Sequence, residues 1–272
     1  MQEYIFQDTS FVLTESAQYN LSIQVSLDGF SFVVHHPITR AIPVFHYHPF
    51  LNPGHQFIHR KIKDIIADNE LLRQPYGQTE ILFSAPLFFL LPAILFSDKL
   101  GHYLLQSKPG FTEEYETIVI PLQQPESHLV FAAGKMVYDY LTGIFPGAAI
   151  SHEVTRLIHY TLSGQAPLLH FHMHDTWFYA LENNGKGIGF LNTFDYRSET
   201  DLIYFMLSVL SKIKIKAGSI PVTLSGPVSF DSEKLRMIRE HIPNAAVAAF
   251  PDRLTSAPGN LPFHCLPGIL SF

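Results

Sequence analysis

Three histidines at alternate positions form the most conspicuous group of residues in this sequence that could do chemistry. His170, His172 and His174 lie in the stretch HFHMHDTWF, directly before Asp175 and close to the single tryptophan, Trp177. Imidazole is a ligand for zinc, copper, iron and nickel, so this stretch could hold a metal ion. The same spacing is also what a β-strand presents on one face, because successive side chains point to opposite sides.

An internal repeat favours the strand over the metal site. Shifting the sequence by 146 positions places Ile23 on Leu169 and Val25 on Phe171, and the residues between them are polar in both copies. Alternate residues on a strand are about 7 Å apart, so three such ligands cannot all reach one ion at about 2 Å. We therefore predict a polar or half-buried strand face with no native metal, and the same for the shorter stretch Phe45–His48.

The elements that position these residues alternate between strands and helices. Period-two alternation in Leu21–Val34, on both sides of Asp28-Gly29, predicts a hairpin, because Asp-Gly is a favoured two-residue turn. The residues after Pro167 predict three further strands, and Ser198 is predicted to cap a helix. Other predicted elements are a helix beginning at Asn52-Pro53, a strand at His128–Ala133, a helix from Lys135 to Leu141, and a helix beginning at Asp231 or Ser232.

The stretch Ser163–Pro167 is the clearest break in the chain, since Ser, Gly and Pro interrupt the regular patterns there. It predicts two lobes, comprising residues 1–163 and 164–272.

Composition excludes several classes of protein. Of 272 residues, 47% are hydrophobic and 15% are charged, which is typical of a packed globular protein. The net charge of −6 and the absence of a long basic run argue against nucleic-acid binding. The single cysteine, Cys265, excludes an internal disulfide and fits a reducing compartment.

No membrane or secretory segment is indicated by the sequence. The apolar stretch Ile81–Phe96 is sixteen residues long and interrupted by Pro86 and Pro92, whereas a spanning helix needs roughly 20 apolar residues. It predicts a buried strand ending near Ser84, a turn, and a short helix capped near Ser97. The N-terminus is acidic where a secretory signal is basic, so we expect a cytoplasmic protein without a transmembrane segment.

Three stretches resemble known families. Val130–Ile158 has the order strand, Ala-Ala, helix, strand, acidic residue and helix, and Val222–Phe230 has a strand followed by a Ser-Gly turn. Both resemble the actin-like ATPases, most closely the bacterial pilus-assembly and cell-division homologues. Phe11–Val34 resembles a Bacteroidetes family of unknown function. The resemblance implies an α/β fold of the actin-like (ribonuclease H-like) type, with two related α/β lobes and an inter-lobe cleft for a nucleotide.

In active members of that fold, the hairpin turns hold the phosphates and the Mg²⁺ shell through an Asp and a Gly. The resemblance implies Asp28 and Gly29 in the first lobe, His174 and Asp175 in the second, and Gly226 on the adenosine side.

Each of these positions departs from the family pattern. Asp28 and Gly29 are adjacent where the pattern is Asp-x-Gly, and the second turn has no glycine. Gly226 is followed by Pro227, which has no N–H to offer a ligand. No catalytic Glu or Gln can be assigned by motif, so we name no catalytic residue.

Two functions remain open. The departures favour a non-catalytic cytoplasmic scaffold that binds a protein partner, with no cofactor or at most weak binding of Mg-ATP. The alternative is a nucleotide-dependent switch or weak ATPase of the same fold. Titration with Mg-ATP separates the two.

Overall fold

The computed structural model describes residues 3–50, 55–164, 166–226 and 232–248. The predicted helix start at Asn52-Pro53, and Cys265, lie outside these ranges. The described residues form two compact units: unit 1 extends to Glu153, and unit 2 begins at Val154. The lobe boundary after residue 163 stays a prediction.

Unit 1 contains nine strands and three α-helices among its described residues. The strands are β1 (Tyr4–Gln7), β2 (Asn20–Ser26), β3 (Gly29–His35), β4 (Val44–Pro49), β5 (Gln78–Ser84), β6 (Phe88–Pro92), β7 (Tyr115–Gln123), β8 (Glu126–Gly134) and β9 (Ala149–His152). The helices are α1 (His55–Asp68), α2 (Asp98–Gln106) and α3 (Lys135–Ile144), with short 3-10 helices at Leu13–Gln18, Glu70–Arg73 and Ala93–Leu95.

The main sheet of unit 1 has the strand order β1-β4-β3-β2-β5-β9. The predicted hairpin is confirmed as β2 and β3, with Val25 opposite Phe30. β5 runs parallel to β2, and β9 runs parallel to β5. Every residue of β3 is buried, as expected for an apolar central strand, and α1 has a stripe of three buried isoleucines: Ile58, Ile62 and Ile66.

A second, antiparallel sheet in unit 1 has the order β6-β8-β7. The sequence predicted the end of β5 at Ser84 and the helix after Ser97, whose hydroxyl accepts a hydrogen bond from Leu100 N. It missed β6, because two prolines in the segment suggested a turn. Only Pro86 lies between strands, and Pro92 ends β6 at an edge of the sheet, where proline is tolerated. Among the described helices, none has the length and apolar character needed to cross a membrane.

Unit 2 contains five strands among its described residues: β10 (Leu168–Met173), β11 (Trp177–Asn183), β12 (Ile188–Asp195), β13 (Val222–Ser225) and β14 (Ala245–Val247). Its helices are α4 (Glu153–Ser163, of which the first residue belongs to unit 1), α5 (Glu199–Lys212) and α6 (Glu233–His241). Ser198 and Asp201 form a capping box at the start of α5, and Ser232 caps α6, which confirms both predicted caps.

The two units share one sheet topology. The unit 2 order β12-β11-β10-β13-β14 matches the segment β4-β3-β2-β5-β9 of unit 1, with the same strand directions. The fold is therefore α/β, as predicted, with two units of matching sheet topology. The predicted shift of 146 is wrong. Val25 pairs with Phe30 in unit 1, and Met173 pairs with Phe178 in unit 2, so the hairpins match with a shift of 148. A period-two pattern keeps the same faces at any even shift, which explains the error.

Candidate functional site

In the first predicted site turn, between β2 and β3, a side chain of the turn accepts hydrogen bonds from its backbone N–H groups. The Ser26 hydroxyl accepts hydrogen bonds from Asp28 N at 3.0 Å and from Gly29 N at 3.1 Å. A Cβ atom at Gly29 would lie 2.9 Å from the His48 carbonyl oxygen and 2.9 Å from the Tyr47 ring. Glycine is therefore required here by the protein's own packing, and two of the backbone donors in the turn are already engaged.

A buried carboxylate lies elsewhere on the β2 and β5 surface of unit 1. Gln24 Nε2 donates to Glu153 Oε1 at 2.8 Å and to Ser84 Oγ at 2.8 Å, and all three residues are buried. Among the described residues, Gln24 Oε1 has no hydrogen-bond partner. Glu153 was not among the site residues predicted from the sequence. The signal available was the acidic position that directly follows β9 at the start of α4.

The second predicted site turn, between β10 and β11, is closed by aromatic packing. The His174 ring stacks on Trp177 with centroids 3.7 Å apart and planes at 10°, and His174 N donates to Trp177 O at 2.8 Å. Tyr196 donates its hydroxyl to His174 O at 2.6 Å. Asp175 is exposed at the tip of the turn. With the shift of 148, Trp177 stands where unit 1 has Gly29, so the unit 2 turn presents a large ring and no glycine.

The three histidines of β10 form a buried hydrogen-bonded row. His170 Nδ1 lies 2.8 Å from Thr223 Oγ1, and its Nε2 lies 2.9 Å from Ser225 Oγ. Ser225 Oγ also lies 2.7 Å from His172 Nδ1. The strand face is fully buried and not half-buried as predicted, because α4 covers it: the Tyr160 ring lies 4.9 Å from that of His170.

The electrostatics of this row follow from its burial. Desolvation, with a smaller contribution from neighbouring His172, lowers the pKa of His170 to about 3. Both His170 ring nitrogens are engaged in hydrogen bonds, so this ring has no lone pair to offer a metal ion. His172 and His174 each have a ring nitrogen within 4.8 Å of the other. His170 therefore does not join the other two as a ligand, and the absence of native metal stays a prediction.

Gly226, the predicted adenosine-side residue, is a glycine for packing reasons. Its φ of 93° is in the left-handed region, and a Cβ atom there would overlap the carbonyl oxygen of Met173. Gly226 thus lies against the end of β10, beside His174. Within unit 2 the structure brings Gly226 and His174 together, with Asp175 next along the chain. Convergence of these residues with Asp28 and Gly29 stays a prediction.

Comparisons with known proteins agree with this topology. A model of the family described as "Protein of unknown function (DUF3822)" matches residues 8–245. No curated protein gave a significant match.

Several solved structures are similar to this chain. One is a Bacteroides thetaiotaomicron VPI-5482 protein described as having an actin-like ATPase fold and unknown function, with a TM-score of 0.79, 19% identity, and coverage of 90% of this chain and 97% of that one. The PilM-PilN type IV pilus biogenesis complex has a TM-score of 0.59, 12% identity and coverage of 92% and 97%. Ethanolamine utilization protein EutJ from Carboxydothermus hydrogenoformans has a TM-score of 0.53, 9% identity and coverage of 93% and 89%. At these identities the likeness shows the fold alone.

Proposed function

Because this chain belongs to the DUF3822 family of unknown function and has the actin-like fold, we propose that it is a non-catalytic cytoplasmic scaffold that binds a protein partner. In this proposal the chain keeps the strands and turns of the actin-like site, but these turns do not bind a nucleotide. One fold hosts many functions, so the fold alone does not identify this function, and the support comes from contacts at the site.

The observation that carries the proposal is the Ser26 hydroxyl. A phosphate site on a hairpin turn uses backbone N–H groups as donors. Here Ser26 accepts from the N–H groups of both Asp28 and Gly29. A phosphate would have to displace that hydroxyl and leave it to find a new partner.

Three further contacts support the same conclusion. Tyr47 packs on the open side of Gly29, and Trp177 fills the turn of unit 2 by stacking on His174. Because Gly226 has no side chain, its backbone can lie against Met173, so this glycine is explained by packing within unit 2. A protein partner is supported by analogy with the PilM-PilN type IV pilus biogenesis complex, a structure similar in fold to this chain.

Nucleotide binding is the first test. We expect no binding of Mg-ATP or Mg-ADP by calorimetry at millimolar concentration, and no change in melting temperature. A nucleotide that bound at 100 times its dissociation constant would add about 2.7 kcal/mol to the free energy of unfolding. Phosphate release should stay at the background rate in the parent chain and in Asp28→Ala and Asp175→Ala variants. Turnover that both substitutions abolish would overturn the proposal.

The partner is tested separately. The tagged chain, cross-linked in its native cells, should retain one protein at constant stoichiometry, and that protein should bind the chain when both are purified. The dissociation constant of the purified pair should be the same with and without Mg-ATP. A dissociation constant that depends on Mg-ATP would favour the switch.

The second candidate, a nucleotide switch or weak ATPase, is favoured by one observation. Gln24 holds the buried Glu153 carboxylate in a fixed position, and a carboxylate so placed could orient a water molecule. If this candidate holds, phosphate release by the parent chain should exceed background and Glu153→Gln should abolish it. Glu153→Gln keeps the size of the side chain and thus separates the carboxylate's chemistry from its packing.

A further inference from the structure

A second pair of histidines lies in unit 1, apart from the turns described above. His46 and His48 are two residues apart on β4, so their side chains share one face of the main sheet. Phe32, directly opposite His46 on β3, packs its ring 4.6 Å from that imidazole. The side chain of His48 is 16% exposed, so water reaches the edge of the pair.

Both histidines have a ring nitrogen that lacks a partner. Nε2 of His46 and Nε2 of His48 are each buried and have no hydrogen bond to any described residue. A buried polar atom without a partner costs free energy, and such atoms are rare in folded proteins. Two of them on neighbouring rings mark a place where the described residues leave room for a ligand.

The opposite nitrogen of His48 is held as it is in metal sites. Glu3 Oε1 lies 2.7 Å from His48 Nδ1, so the carboxylate accepts the Nδ1 proton and leaves the Nε2 lone pair available. Histidines that bind metals usually donate their other N–H to a carboxylate or carbonyl in this way, which orients the ring and raises its basicity.

His46 has no such carboxylate among the described residues. Asn69 Oδ1 accepts from Leu71 N, which leaves Asn69 Nδ2 to donate to His46 Nδ1 at 3.3 Å. A metal ion that binds through Nε2 requires the other tautomer, with the proton on Nδ1, and this long contact is then lost.

The separation of the two rings is compatible with one shared ion. A ring nitrogen lies about 2.0–2.1 Å from bound zinc, so the centroids of two rings bound to one ion are at most roughly 6.5 Å apart. The centroids of His46 and His48 are 6.1 Å apart, with the ring planes at 61°. At a tetrahedral angle the centroids would be roughly 5.2 Å apart, so the rings must rotate about their side-chain bonds to share an ion, while β1 and β3 hold β4 from both sides.

We propose that His46 and His48 bind one divalent transition-metal cation, such as Zn²⁺, through their Nε2 atoms, with water completing the coordination. Glu3 orients His48 and is a positioning residue. This site is independent of the proposed scaffold function. It reverses the expectation from the sequence for Phe45–His48, because spacing alone could not show that both nitrogens are buried without partners.

The test uses the full chain, dialysed against a chelator and titrated with Zn²⁺ by calorimetry. We expect a site of one equivalent that becomes at least tenfold weaker in His48→Ala and in His46→Phe. Phenylalanine at position 46 keeps the aromatic contact with Phe32. Glu3→Gln should weaken binding by about tenfold, the usual cost of losing such an orienting carboxylate. Circular dichroism should show that all three variants fold.

A gain of affinity gives the sharpest check. Asn69→Asp should tighten binding by about tenfold, because the new carboxylate accepts the Nδ1 proton of His46 as Glu3 does for His48. Asp also remains a good N-cap for the 3-10 helix that Asn69 caps.

The pair His172 and His174, with the same spacing, supplies the matched control. His172→Ala should leave the zinc affinity of the His46–His48 site unchanged. Zinc binding that survives both His46→Phe and His48→Ala, or no saturable binding by the parent chain, would overturn the proposal.

Discussion

Acidification from pH 7 to pH 5 should destabilise unit 2 through His170. This ring is fully buried, and its pKa is lowered to about 3 from the usual 6.5 by burial first and by His172 second. In the unfolded chain the ring takes up a proton below about pH 6.5, whereas in the folded chain it stays neutral down to about pH 3. The unfolded state therefore binds more protons across this window, and the free energy of unfolding falls as the pH falls through it.

The size of the effect follows from the width of the window that is crossed. Each pH unit below the pKa of the ring in the unfolded chain lowers the free energy of unfolding by about 1.36 kcal/mol. At pH 5, about 1.5 units below that pKa, the loss is therefore about 2 kcal/mol. That is a large part of the roughly 5–15 kcal/mol that keeps a typical domain folded. With a urea m-value of about 2 kcal/mol/M, the midpoint of unfolding should fall by about 1 M.

The chain supplies its own probe for this measurement. Trp177 is the only tryptophan and lies buried in unit 2, so its fluorescence during urea unfolding reports on that unit. The control is His170→Gln, which keeps a donor and an acceptor but does not titrate. This variant should be less stable than the parent at pH 7. Between pH 7 and pH 5, however, its free energy of unfolding should fall by about 2 kcal/mol less than that of the parent. Equal losses in both chains would refute the assignment to His170.

Three further substitutions are tested with the same fluorescence assay at pH 7. Phe171→Asp should cost several kcal/mol because it buries an unpaired charge in the core of unit 2, and an unchanged midpoint would mean that the faces of β10 are wrongly assigned. Gly226→Ala should cost at least about 2 kcal/mol, since φ is positive and Cβ overlaps Met173. Ser198→Ala should cost about 1 kcal/mol by removing the cap of α5, and a neutral result would contradict the capping box.

Local rules predicted the elements of this fold that depend on neighbours in sequence. The hairpin around Asp28-Gly29 and the caps at Ser198 and Ser232 are set by residues a few positions apart, and the structure contains all three. The helix predicted from about Lys135 is α3, which begins at that residue. Such features survive folding because the contacts that create them are present in the isolated segment.

Features that depend on contacts between residues far apart in the chain could not be predicted from the sequence. The histidine face of β10 alternates in the same way whether water or α4 covers it, so its burial could not be known from the strand itself. The edge strand β6 forms because β8, more than thirty residues later, supplies its hydrogen-bonding partner. Proline statistics for the segment favoured a turn, and tertiary pairing overrode them.

The corrected shift changes how the two site turns are compared. With a shift of 146, Asp28 stood opposite His174, and Asp175 served as the nearby carboxylate. With 148, Ser26 stands opposite His174 and Asp28 opposite Thr176. The Ser26 hydroxyl accepts from the turn's N–H groups in unit 1, while His174 stacks on Trp177 in unit 2.

The two turns therefore close by different chemistry at the same position of one topology. In unit 1 the Ser26 hydroxyl accepts from two backbone N–H groups of the turn, whereas in unit 2 the Trp177 ring occupies the position of Gly29 and stacks on His174. A turn that evolved around a nucleotide would leave its backbone donors for the ligand, because a buried donor without a partner is costly. In the unit 1 turn the Ser26 hydroxyl meets that demand for two of the donors, and this contact is the physical support for the scaffold proposed above.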